Sequence, residues 1–356
     1  MNKFYLDSGY LDIAEIERYA DKHKVNYIFI IGKRQVGKTY GVLKLMLDSG
    51  KNFILMRRTA KELGLIAKGY NSPFETIDGY ENRVKLVGAS DDTTMQITIT
   101  DTDDPDNKHS HSIGLAVALS TVASIRGFNG KPYTDLVYDE CIPESHVYKI
   151  PYEDEAFNNA YMTINSNREL KGLPPLRCWL LANSNRLDCA ILKALNLTET
   201  VEKMSVRGDD FTLLKDRGIM IFMPESKELT EAHKNTALFR AIGGESDFTK
   251  MALGNEFSHN DFTDVGREDL KQYKLLCNMG DDADGMALLK HKSKARLYVC
   301  ETYYFGDDVP YYNGQTYGRN KFIKDYPNVR AYYLRGRIKF QNATIKYQFL
   351  AYMKLI

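Results

Sequence analysis

The chain has 356 residues, 43% of them hydrophobic and 27% charged, with a formal charge of +1, the balance of an ordinary folded protein with room for one large domain or two. Its apolar runs stop after about six residues, far short of the roughly 20 that cross a bilayer, and the N-terminal MNKFYLDSGYLDIAEIERY carries acids where a secretory signal has an apolar core. No membrane partner and a cytoplasmic location are therefore expected, while near-neutrality gives no global argument for nucleic acid and leaves room for a local basic channel.

Residues 11–24 place Leu11, Ile13, Ala14, Ile16 and Tyr19 near a helical period, which predicts a leading helix. Residues 27–31 read as a short buried strand ending at Gly32, and TYGVLKLMLDSG as a helix that stops at Gly50. KNFILM (51–56) is a second strand, ending in Arg57 and Arg58. Strand, glycine loop, helix, strand is the βαβ unit of an α/β domain with a mostly parallel sheet. VKLVG (84–88) and MQITIT (95–100) predict a hairpin, and IGLAVALSTVAS (113–124) a buried strand with a loop. TDLVYDE (134–140) and RCWLLANSN (177–185) are apolar strands closed by acids and by asparagines. The strands near 27–31, 52–56, 135–139 and 177–182 would lie side by side, their C-terminal ends on one crevice where such sheets bind ligands.

An N-terminal domain is expected over 1–205, a linker or small subdomain over 206–244, and a smaller α+β domain over 245–356. The middle segment mixes charges, glycine and turn residues; the last regains period-two stretches at MALLKH, ARLYVCETYYF and RAYYLRGRIKF. Charge is uneven, with an acidic run at 91–106 and a basic, tyrosine-rich tail over the last forty residues. Cys141, Cys178, Cys189, Cys277 and Cys300 form no close pair, so neither a disulfide framework nor a thiolate metal site is expected.

Gly32 to Thr39 reads GKRQVGKT and fills the phosphate-binding template G-x-x-x-x-G-K-[ST]. The glycines permit the turn, and the backbone N–H groups of Lys33, Arg34, Gln35, Val36 and Gly37, with the helix start through Tyr40, would face nucleotide phosphates. Lys38 would meet the β/γ-phosphates and Thr39 would offer its hydroxyl to Mg²⁺. Asp139, at the end of LVYDE, would hold the metal, and Glu140 would polarise the attacking water. The plainer alternatives are a surface lysine in a glycine turn and a solvated pair of acids; the strand, loop and helix around them favour the nucleotide. Arg34, Arg57, Arg58, Arg126 and Arg168 are candidates to meet charge on a transferring phosphoryl group, or else form ordinary salt bridges. Asn183 would sense the γ-phosphate or the water, or cap a turn.

The order GKRQVGKTY, LMRRT, LVYDE, NSNRE and RCWLLANSN resembles the DNA-packaging ATPases of small tailed bacteriophages of the phi29 type. These are additional-strand, ring-forming P-loop enzymes related to terminase large subunits. The resemblance covers about residues 25–200 and continues weakly at GNEF (254–257) and RLYVCETY (296–303). It implies a C-terminal domain with a ribonuclease-H-like fold that has lost its nuclease chemistry; Asp281, Asp282 and Asp284 sit together in what reads as a hairpin turn rather than on separate strands. It also implies Lys38 and Thr39 as the Walker A residues and Asp139 and Glu140 as the Walker B aspartate and catalytic glutamate. Arg126 would act in trans on a neighbouring subunit, and Arg168 lies where a second arginine finger is expected. ATP and Mg²⁺ are the implied cofactors. The implied partners are double-stranded DNA, a homopentameric ring of like subunits and the capsid portal, in the host cytoplasm and docked on the procapsid; a packaging RNA is left open. The rival readings are a terminase with an active nuclease, a helicase, and a nucleotide-binding switch that seldom turns over.

Overall fold

The computed structural model describes residues 4–354 except 33–35, 70–71, 89–93, 102–108, 122–128, 144–149, 151, 184–188, 226–228, 230, 232–234, 243–263, 282–284 and 305. The chain divides into two compact units, Met1–Leu195 with Lys203–His259, and Asn196–Glu202 with Asn260–Ile356.

In the first unit α1 (Ile13–His23) starts at Asp12, whose carboxylate accepts the Glu15 amide at 2.9 Å and so satisfies a donor that the first turn leaves open. Ile13, Ile16 and Ala20 form its buried stripe. β1 (Tyr27–Gly32) leads into α2 (Lys38–Asp48), followed by β2 (Phe53–Arg57) and α3 (Ala60–Ala67). Thr59 and Glu62 close a reciprocal capping box at the start of α3. Then come β3 (Val84–Val87), β4 (Thr94–Thr100), β5 (Ser110–Ala118), β6 (Asp135–Asp139), α4 (Glu153–Asn165) and β7 (Arg177–Asn183). Beyond them lie α5 (Ala190–Ala194), α6 (Thr198–Arg207, of which only residues from Lys203 on count with this unit), β8 (Phe211–Leu214), β9 (Ile219–Phe222) and α7 (Ala237–Ile242).

Nine strands form one sheet in the order β3-β4-β5-β2-β6-β7-β1-β9-β8. From β5 to β9 every pairing is parallel; β4 joins β5, β3 joins β4 and β8 joins β9 antiparallel. β7 separates the glycine-loop strand β1 from the acid-bearing strand β6, which is the additional strand that the resemblance implies. The central strands are buried on both faces, as helices on both sides of a parallel sheet require. One face packs Ile28, Ile30, Leu55, Val137 and Leu181 against α1, α2 and α3. On the opposite face Tyr138 stacks on Phe157 of α4, with centroids 5.8 Å apart.

Two expectations change here. Residues 211–214 and 219–222, assigned to a linker or subdomain over 206–244, are strands of the first sheet, because Ile219–Phe222 is an apolar strand that pairs in parallel with β1. The first unit accordingly takes in both of these strands, while 196–202 belongs to the second.

The second unit has β10 (Tyr273–Met279), β11 (Met286–His291), β12 (Leu297–Glu301), β13 (Tyr311–Tyr312), α8 (Thr316–Asp325), α9 (Val329–Leu334), β14 (Ile338–Phe340) and α10 (Ala343–Tyr352). β10, β11 and β12 form an antiparallel meander; β13 adds in parallel to β10 and β14 to β12. Phe322, Phe340, Phe349 and Val299 centre its core. RAYYLRGRIKF, expected to alternate as a strand, begins as α9 and becomes β14 only after Gly336 (φ +63°) turns the chain.

Candidate nucleotide site

The C-terminal ends of β1, β2, β6 and β7 bring Lys38, Thr39, Arg57, Asp139, Glu140 and Asn183 together. Gly37 caps α2 at φ +82°, a conformation that glycine alone adopts without cost. A Cβ there would lie 3.0 Å from the Tyr10 ring, and one at Gly41 would lie 2.6 Å from Ile13 Cγ1. Both glycines therefore let the segment before α1, and α1 itself, pack directly on the start of α2.

Lys38 is buried, and its Nζ donates to Gly32 O at 3.0 Å and to Asn183 Oδ1 at 3.2 Å. The lysine thus spans the two ends of the glycine loop and reaches the end of β7. Thr39 Oγ1 donates to Asp139 Oδ1 at 2.9 Å. The same oxygen accepts the Glu140 amide at 3.2 Å, while Oδ2 faces Arg57 Nη2 at 3.2 Å. Asp139 is 4% exposed, so each of these bonds acts where water screens little.

Glu140 has φ +58°, a left-handed backbone that costs a non-glycine residue about 1 kcal/mol. The ladder imposes it: Asp139 is in register with Leu181 of β7, and the Cys141 amide donates to Leu181 O at 3.0 Å. Pinned on both sides, the strand end kinks and carries the Glu140 side chain, 60% exposed, out toward the crevice. Arg57 Nη1 reaches Glu140 Oε2 at 3.1 Å, so one guanidinium bridges both acids. Arg57 Nε has no hydrogen-bond acceptor among the described residues, where the fork is held by the two carboxylates. One residue beyond Glu140, the Cys141 thiol is pushed well up by burial and stays neutral.

Arg58 turns to the opposite face, as alternation along a strand requires. Its Nε and Nη2 grip Glu153 of α4 at 2.7 and 3.1 Å, and the Tyr138 hydroxyl donates to Glu153 Oε1 at 3.3 Å. Burial first, then Glu153, raises the Tyr138 phenol well above its usual range, so it remains a donor. Arg58 therefore anchors the end of β2 from behind while Arg57 meets the acids in front.

A cavity of ≈ 740 Å³ opens on the outer side of α2, beginning at Gly37. Leu6, Tyr10, Ile13, Tyr40 and Leu45 line it, and the Tyr40 hydroxyl donates to Asp78 at 3.1 Å on its rim.

Residues 17–313 match the family described as podovirus DNA encapsidation protein (Gp16). The chain belongs to that family. A DNA packaging protein of Bacillus phage B103 is 27% identical over 234 residues, a match spanning 64% of this chain and 63% of that relative's length. The fold is shared with the phi-28 gp11 DNA packaging motor at TM-score 0.55 and 16% identity, over 95% of this chain and 97% of the other. It is shared likewise with the bacteriophage phi-29 viral genome packaging motor assembly, at TM-score 0.58 and 18% identity over 94% and 98%.

Within this family member Arg168 is not placed as a finger. It is 6% exposed, and its guanidinium donates to the carbonyls of Pro174 (2.7 Å), Lys131 (3.1 Å) and Tyr133 (2.9 Å). Lys131 and Tyr133 precede β6 and Pro174 precedes β7, so Arg168 sits at the strand starts, about 15 Å of strand away from the crevice at the usual rise. It closes backbone groups that no ladder reaches. Lys33, Arg34, Gln35 and Arg126 lie outside the described residues, as do Asp282, Asp284 and the GNEF segment. The sequence leaves open which of Arg57 and Arg58 meets the acids; the available signal is parity, since of two consecutive arginines at a strand end only one faces them.

Thr39 and Asp139 present a hydroxyl and a carboxylate already within one hydrogen bond of each other. That hard-oxygen pair suits Mg²⁺, which takes one or two protein oxygens and completes its shell with phosphate and water.

Proposed function

We propose that the chain is a Mg²⁺-dependent ATPase whose turnover drives double-stranded DNA into a preformed capsid. The single observation that carries the chemistry is the run Thr39–Asp139–Arg57–Glu140, closed by bonds of 2.9, 3.2 and 3.1 Å beside the glycine loop. Membership of a DNA encapsidation family supports the cargo.

In this reading the loop amides and the start of α2 hold the phosphates, and Lys38 exchanges Gly32 O and Asn183 for β/γ-phosphate oxygens. Asn183 then faces the transferring phosphoryl group or its water. Asp139 and Thr39 would hold Mg²⁺, which when bound neutralises charge that develops on the phosphates. Glu140, carried on its kinked backbone, orients water for in-line attack and takes its proton. Arg57 keeps Glu140 aligned with Asp139. The cavity that starts at Gly37 and Tyr40 receives the nucleoside, with the Tyr10 and Tyr40 rings as its apolar walls. Tyr10→Ala should raise the KM for ATP several-fold with kcat little changed.

We further read the chain as one subunit of a homopentameric ring at the portal, with Arg126 of each subunit serving its neighbour's nucleotide. The second unit is read as a ribonuclease-H-like module that guides DNA; its meander with added parallel strands supports a sheet of that kind. Steady-state phosphate release by the full chain, with and without duplex DNA of increasing length, tests the reading. Turnover that rises with duplex length supports a motor; turnover indifferent to DNA removes the translocation assignment and leaves the ATPase.

A further inference from the structure

We infer that α8, α9 and the turn after them form a docking surface for the phosphate backbone of duplex DNA, an inference that rests on the packaging reading above. Residues 316–340 hold seven Lys and Arg against one acid, which leaves the rest of this +1 chain net negative. Lys321, Lys324, Arg330, Arg335 and Arg337 are all exposed. None of the five is ion-paired among the described residues, whereas Arg296 pairs with Glu268 at 3.5 Å and Lys346 with Asp264 at 2.7 Å in the same unit. The one acid, Asp325, is engaged by the Tyr312 hydroxyl at 2.7 Å.

The fold presents these charges in a definite way. Gly318 and Phe322 bury one face of α8, which turns Tyr317, Lys321 and Lys324, spaced i, i+4, i+7, onto the other. Tyr317 is 79% exposed, its hydroxyl in reach of the same ligand as the lysines. Val329 anchors α9 and leaves Arg330 outside; the Gly336 turn then keeps Arg335 and Arg337 out while Ile338 enters the sheet. Unpaired like charges destabilise a compact fold unless a counter-charged partner meets them. A protein partner would need a desolvated apolar centre, yet Ile323 and Leu334 are the only exposed large aliphatics of the stretch. Arginines and lysines with a tyrosine and no apolar core are what grips a phosphate rail, and such contacts ignore sequence, as a cargo of any sequence demands.

The test measures binding of the full chain to a 30-base-pair DNA duplex (about three helical turns, enough for the contacts considered) across a salt series. An equal RNA duplex is the second probe. R330Q/R335Q/R337Q should lose at least ~10-fold in DNA affinity, and its log K against log salt should flatten by about 0.9 for each phosphate contact removed. K321Q/K324Q should show a smaller loss of the same kind. DNA-independent ATP turnover at the wild-type level certifies each variant's fold, since none of these residues belongs to the nucleotide site; should the triple variant lack it, the lysine pair reads the same surface. DNA affinity and slope unchanged in the variants, while wild type binds DNA, would overturn the surface and leave the packaging reading standing. A loss confined to RNA overturns the assignment to DNA. Wild type that binds no duplex DNA sinks the packaging reading along with it.

Discussion

Asp139 accepts from Thr39, from the Glu140 amide and from Arg57 at once, and four variants separate the roles of the residues gathered around it. Lys38→Ala removes the ammonium that would meet the phosphates; turnover should be lost and nucleotide binding weakened, with the fold retained, and wild-type phosphate release would refute the phosphate site. Glu140→Gln should bind ATP and Mg²⁺ normally yet not hydrolyse, whereas Asp139→Asn should shift the Mg²⁺ dependence of nucleotide affinity. Superimposable Mg²⁺ titrations of those two variants would show that one acid is misassigned. Arg57→Lys is the sharper probe of the bridge. A guanidinium spans two carboxylates with a planar fork, and an ammonium is a point charge. Turnover should fall by ~10-fold or more, about 1.4 kcal/mol of barrier, with ATP affinity within a few-fold of wild type.

At the scale of elements, β2, β6 and β7 aim the site through groups that never touch it. Arg58 and Glu153 tie the end of β2 to α4, and cutting a buried pair on one side costs about 3–5 kcal/mol. Arg168 holds the segments entering β6 and β7 by their carbonyls. Arg168→Ala should destabilise by about 2–3 kcal/mol, because buried carbonyls lose a charged donor, and should lower Tm by several degrees. ATP turnover per folded molecule should stay within about twofold of wild type, the difference a purely structural residue allows. A stable R168A protein with abolished turnover would return Arg168 to the catalytic machinery. Thermal melts and active-site-normalised phosphate release decide between the two.

For the whole molecule, the assembly prediction concerns Arg126. If it serves a neighbour's nucleotide, R126A and K38A subunits should each be inactive alone and recover partial ATPase when mixed, because some interfaces then pair an intact pocket with an intact finger. Activity close to wild type in R126A alone, or no recovery on mixing, removes the trans role. The basic face of α8 and α9 belongs to this scale too, since a ring would present it once per subunit to a continuous rail of phosphate.

The glycine loop, its strand and helix, the hairpin and both acid- and asparagine-ended strands were legible in the chain, because each is a local pattern: a period, a cap, a glycine that permits one turn. Lys38, Thr39, Asp139 and Glu140 followed from those patterns, and the structure brings them onto one crevice. What local pattern could not supply was pairing between distant segments. Residues 211–222 read as linker since short strands among charges carry little periodicity, and only parallel pairing with β1 makes Ile219–Phe222 part of the first sheet. RAYYL carries both strand and helix patterns, and burial of Val329 and Phe322 against one core selects the helix. Arginine is the clearest case: its chemistry fits a phosphate, a carboxylate or a carbonyl equally well. Which of these Arg57, Arg58 and Arg168 meets depends on the face and end of the sheet where each strand delivers it, and that is decided by tertiary register rather than by residue type.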